Sequence, residues 1–68
     1  MPKRYSGLDV VKILADIGYR QKHWKGGHLV MCHVDDRRIC VVVPMHKMLK
    51  VGTALGILKR ARRKIGVE

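Results

Sequence analysis

Two turn signals cut residues 19 to 44 into three short β-rich runs, and this punctuation restricts the fold more than any other feature of the chain. The first is Gly26-Gly27 and the second is Asp35-Asp36-Arg37-Arg38. The runs they separate are Tyr19 to Lys25, His28 to Val34 and Ile39 to Val43. A two-glycine loop between such runs is a hairpin signal, and a short polar turn joins the next pair in the same way. Pro44 ends the third run because it has no N–H to donate to a strand ladder. The pattern predicts an antiparallel meander.

Helical periodicity flanks this block on both sides. Ser6 can accept from exposed backbone N–H groups, and Asp9 stands at the return position of a capping box. Val10, Ile13, Leu14 and Ile17 follow at i, i+3, i+4 and i+7, and Gly18 closes the segment. A first helix is predicted over residues 7–17. After a loop from Met45 to Val51, Gly52-Thr53 opens a second helix over residues 54–65, with Thr53 as N-cap. Its Ala54, Ile57, Leu58, Ala61 and Ile65 share one arc, and Lys59, Arg60, Arg63 and Lys64 take the other, with Arg62 at the border. The order α-β-β-β-α predicts an α+β two-layer sandwich. A three-stranded antiparallel sheet carries both helices on one face, an architecture that resembles a double-stranded RNA-binding domain.

With 68 residues, 1–68 is expected to form a single domain. A hydrophobic fraction of 47% argues against disorder. Lys and Arg exceed Asp and Glu to give a net charge of +10, a surface that attracts polyanions. So small a chain rarely encloses a metabolite pocket of several hundred Å3, which disfavours small-molecule metabolism. The longest apolar run, Ile39 to Val43, is far short of the roughly 20 residues that span a bilayer, and no signal core follows Met1 to Arg4. No membrane association is expected. Cys32 and Cys40 are too few for a disulfide framework, and they are expected to be buried thiols in a reducing, cytoplasmic setting.

The sharpest local feature is Lys25-Gly26-Gly27-His28. Glycines let a phosphate approach the backbone closely, and they place His28 at a strand end beside a lysine. An imidazole there can take a proton from, or return one to, an RNA 2′-OH. An ordinary type I′ turn followed by a surface histidine has the same spacing. His46, in the loop after Pro44, is a candidate second acid or substrate orienter. His23 and His33 fall within strands and read as sheet-surface or rim residues. His28 and His33 are five apart, on opposite faces of a strand, and no zinc-type spacing occurs, so no metal is expected. The cationic arc of the second helix lacks the interspersed acids of a merely solubilising face and points to an anionic partner.

In four places these residues resemble a known family, the HicA (YcfA-like) mRNA interferase toxins of toxin–antitoxin systems. The pieces are Gly18-Tyr19 after a short helix, Lys25-Gly26-Gly27-His28, Val43-Pro44-Met45-His46, and Leu49-Lys50-Val51-Gly52-Thr53 leading to Ile57-Leu58-Lys59. They stand in register from Ser6 to about Arg62. The resemblance implies a double-stranded-RNA-binding-like fold, ribosome-independent mRNA cleavage, neutralisation by a HicB-like antitoxin, and His28 as the catalytic histidine. The chain departs from the family pattern at Gly27, where Ser is commoner. Val51 replaces the usual Pro and Ala54 the usual Leu, and the C-terminal ending also differs.

The expected activity is therefore a cytoplasmic, metal-independent endoribonuclease with no cofactor. His28 is expected to be catalytic, His46 its possible partner, and Lys25, Gly26, Gly27, Lys47, Lys50, Lys59, Arg60 and Arg63 the RNA-binding residues. The alternative is a non-catalytic RNA- or DNA-binding module that uses the same basic surface.

Overall fold

The computed structural model describes residues 4–67, in the order α1 (Gly7–Asp16), β1 (Tyr19–Lys25), β2 (His28–His33), β3 (Cys40–Pro44) and α2 (Val51–Lys64). The three strands form one antiparallel sheet in the order β1-β2-β3. This is the α+β meander with two flanking helices that the turn signals and periodicity predict.

The capping box at the start of α1 forms as read. The Asp9 backbone N–H donates to Ser6 Oγ at 3.0 Å, and the Ser6 N–H donates to Asp9 Oδ2 at 2.9 Å. The Ser6 backbone N–H, and less strongly the Ser6 hydroxyl, hold the Asp9 carboxyl below its ordinary pKa. Ile17 caps the helix, and Gly18 follows with a left-handed φ of 98°.

Alternation along the strands assigns each residue to a layer. Tyr19, Leu29, Met31, Val41 and Val43 point inward. They pack with Val10, Val11 and Leu14 of α1 and with Ala54, Ile57 and Ala61 of α2. Both helices thus cover one face of the sheet. The buried Tyr19 hydroxyl donates to the Ala61 carbonyl at 2.8 Å and ties β1 to α2. Its pKa is raised by burial, so it stays a donor. His33 is partly buried at the same end. Its Nε2 lies 2.9 Å from the Ile17 carbonyl, and its ring stands edge-on to Tyr19 at 5.2 Å, so it serves packing.

Two expectations need correction. The second helix begins at Val51 rather than residue 54, and Lys50, not Thr53, is the N-cap, with no side-chain cap bond. The start is set by an isolated bridge that pairs Tyr5 with Leu49. It holds the chain extended up to Lys50, whose carbonyl then accepts from the Ala54 N–H at 3.0 Å. Long-range pairing overrides the local preference of Thr53 for a cap.

The second correction concerns the cysteines. Cys32 and Cys40 form a disulfide instead of remaining thiols. Register explains it. The two residues are direct cross-strand partners on β2 and β3, with Cα atoms 4.0 Å apart. A spacing of eight residues matches no metal template, yet it is what a short hairpin needs to bring two side chains face to face. The cysteines therefore no longer argue for a reducing compartment. Among the described residues, no helix is long and apolar enough to cross a membrane.

Closing so short a loop stabilises the fold by about 2–3 kcal/mol through the unfolded state. Reductant should lower the melting temperature of the oxidised protein by roughly 10–20 °C. A Cys32→Ser/Cys40→Ser protein should melt at the same temperature with and without reductant. Equal melting of the wild-type protein in both conditions contradicts this link.

Candidate active site

The β1–β2 hairpin turns at Gly26-Gly27. Only Gly26 has a positive φ, 61°, and nothing lies within 4 Å of a Cβ built at either glycine. Positive φ at the first central position alone is the type II′ pattern, not type I′. The second position accepts a side chain, which accounts for the tolerance of Gly27 in place of serine.

His28 is the first residue of β2, placed between Lys25 on β1 and Pro44 on β3. It shares alternation parity with Val30 and Cys32, so it belongs to the sheet face that no helix covers. His46 lies two residues beyond Pro44, and two backbone bonds fix its segment. The Met45 N–H donates to the Gly27 carbonyl at 3.2 Å, and the Gly7 N–H donates to the His46 carbonyl at 2.9 Å. The hairpin turn and the first residue of α1 therefore clamp the loop from both sides. Gly7 is needed there, because a Cβ on it would lie 2.5 Å from the Pro44 carbonyl oxygen and 2.7 Å from the Met45 Cα.

Both imidazoles are exposed, with ring centroids 6.4 Å apart. Two residues separated by 18 positions in sequence thus meet at one corner of the molecule. Exposed lysines stand beside them: Lys25 is the cross-strand partner of His28 and Lys47 follows His46, while Lys50, at the start of α2, lies with Arg4 and Met48 instead. Among the described residues, no group of three His, Cys, Asp or Glu side chains is arranged to hold a metal ion.

A profile of the family described as HicA toxin of bacterial toxin-antitoxin matches residues 7–62. The chain belongs to the HicA toxin family. The match covers both helices almost entirely, all three strands, and His28 and His46. No curated protein and no solved structure matches the chain. As a HicA-family toxin it belongs to a toxin–antitoxin pair, so an antitoxin is its partner.

The remaining candidate residues of this HicA-family chain lie elsewhere. Lys59, Arg60 and Arg63 are on the second half of α2. That half crosses the far end of the sheet, where Ala61 meets Tyr19 and the Lys64 ammonium donates to the Cys40 carbonyl at 2.9 Å. The length of β2, about 17 Å at 3.3 Å per residue, separates that end from His28. These three cations also sit in the helical layer, on the side of the sheet opposite His28. The structure brings together Lys25, Gly26, Gly27, His28, His46 and Lys47, and it leaves Lys50, Lys59, Arg60 and Arg63 apart from them. Sequence reading had no means to split the two groups, because helical periodicity fixes a face of the helix but not the end of the sheet it crosses.

Proposed function

We propose that this HicA-family toxin is an endoribonuclease that cleaves mRNA by general acid–base chemistry at the His28–His46 pair, and that a HicB-like antitoxin neutralises it by covering that pair. The observation that carries this proposal is the meeting of two exposed imidazoles at one corner of the sheet, with centroids 6.4 Å apart. A phosphodiester between them can reach one imidazole on each side. His28 takes the proton of the 2′-OH as that oxygen attacks phosphorus. The 2′-O–P bond forms, the bond from phosphorus to the 5′-oxygen breaks, and protonated His46 gives its proton to the departing oxygen. The products are a 2′,3′-cyclic phosphate and a 5′-OH end. The two imidazoles and the RNA supply base, acid and nucleophile, so the step as written uses no metal.

Lys25 and Lys47 would hold the flanking phosphates, and Gly26 and Gly27 let the backbone approach without a Cβ in the way. Lys50, Lys59, Arg60 and Arg63 add to the positive field that draws RNA in, without touching the reacting nucleotide.

The test incubates purified protein and EDTA with a defined mRNA transcript and analyses the product ends. Cleavage leaving cyclic phosphate and 5′-OH ends, with a bell-shaped pH dependence of kcat/KM, is the expected result, because one imidazole must be neutral while the other is protonated. Binding without cleavage would instead make the protein a nucleic-acid-binding module. Activity that appears only on adding a divalent metal would sink the two-imidazole mechanism.

A further inference from the structure

The uncovered face of the sheet continues away from His28 and His46 toward the opposite end of the strands, where it reaches a second group of cations. Arg20 lies across from Cys32 in the β1–β2 register. With Lys22 on β1 and Arg37 in the β2–β3 turn, it borders a shallow depression of about 340 Å3 beside the Cys32–Cys40 disulfide. Among the described residues, no carboxylate lines this depression. Of the nearest acids in sequence, only Asp35 reaches the rim, beside His33, which lines the depression. Asp36 takes the Arg38 guanidinium on both oxygens at 3.1 Å, and Asp35 faces His33 at 3.8 Å. The Arg20 guanidinium is held in place by donating to the Ala15 carbonyl at 2.9 Å and the Tyr19 carbonyl at 2.8 Å, so its position is fixed before any ligand arrives. Lys22 is the extra residue of a β-bulge, the register passing directly from Gln21↔Met31 to His23↔Val30. A bulge re-aims the side chain it carries.

Between this depression and the two histidines the same face carries Val42, the recessed Val30 with His23 across from it on β1, and the disulfide. The surface therefore offers cations at one end, the exposed Val42 and His23 in between, and the histidine pair with its lysines at the other end. The distance from His28 to the level of Cys32 is four residues, about 13 Å.

We propose that Arg20, Lys22 and Arg37 form a second phosphate-binding subsite, which takes the backbone of the same RNA strand a few nucleotides away from the bond cleaved at His28–His46. The strand runs over the open sheet face, its phosphates gripped at both ends and its sugars and bases resting on the exposed Val42 beside His23. This rests on the RNA-cleavage function proposed above and deepens it, because it makes the toxin read substrate length. A strand that spans both ends binds through more phosphates than one that occupies the histidine corner alone.

Lys22→Ala/Arg37→Ala protein tests this; Arg20 is left intact because it also bonds to α1. Binding of a 12-nucleotide single-stranded RNA is measured in the His28→Ala background across a salt series. The double substitution should weaken that binding at least tenfold at low salt. It should also reduce the slope of log K against log salt by about 1.4, the loss of two phosphate contacts on a single strand. In the catalytically intact background, kcat/KM for a dinucleoside monophosphate, which carries only the scissile phosphate, should not change, while that for the 12-mer falls. Unchanged 12-mer binding, or an equal loss for both substrates, overturns the subsite. Circular dichroism verifies folding, and Lys22→Gln/Arg37→Gln replaces the alanine pair if that pair unfolds. Failure of the wild-type protein to cleave any RNA removes the cleavage function alone, because the binding comparison needs no turnover.

Discussion

His28→Ala protein is expected to lose RNA cleavage by a factor of about 10²–10⁴ in kcat/KM, the usual contribution of one positioned acid or base, while its melting temperature stays near that of the wild type. The structural side of this expectation is plain. His28 is exposed at the edge of a turn and supports no buried contact, so removing its ring leaves the core untouched. Expression in a growing host should no longer arrest growth. His46→Ala should show a loss of similar size. The double variant should be little worse than either single one, because two groups that act on one proton relay are not additive. A folded His28→Ala protein with full cleavage activity would refute the mechanism, whatever the effect at His46.

Gly7→Ala is expected to have the largest effect on the fold of any single-methyl addition in α1. The added carbon would meet backbone on two sides, the Pro44 carbonyl oxygen at 2.5 Å and the Met45 Cα at 2.7 Å, and backbone cannot rotate away as a side chain can. Forcing extra volume into packed structure costs roughly 1–3 kcal/mol, which is a large share of the stability of so small a domain. The melting temperature should fall by about 4–8 °C for each kcal/mol lost. Gly27→Ala is the control, because that site has open space and no positive φ, and it should melt like the wild type. The Gly7 N–H also holds the His46 carbonyl, so the folded fraction of Gly7→Ala protein should cleave RNA more slowly. If Gly7→Ala melts with Gly27→Ala and retains full activity, the clamp at His46 has no functional weight.

Much of this was legible in the sequence, for local reasons. The capping box, the glycine hairpin and the proline stop each act over four residues or fewer, and all three appear where their residues stand. His28 could be singled out because the turn that positions it is adjacent in sequence. His46 could only be offered as a candidate, since its nearness to His28 depends on β2–β3 pairing and on the Gly7 contact. The same register produced the disulfide. No periodicity encodes that Cys32 and Cys40 face each other, because the length of the intervening turn decides it. The start of α2 was misplaced for a related reason, as the Tyr5–Leu49 bridge joins segments 44 residues apart. Local chemistry was readable, and what depended on distant segments meeting was not.

The two borders of the sheet have one more consequence. Among the described residues, strand β1 pairs only with β2, so its other side presents unpaired backbone groups to which another copy could add a strand. The irregular spacing at Lys22 interrupts that row, and Arg20, Lys22 and Lys25 repel an incoming duplicate. Along β3, the Lys64 ammonium already occupies the Cys40 carbonyl. Edges guarded in this way resist strand-by-strand addition of further copies.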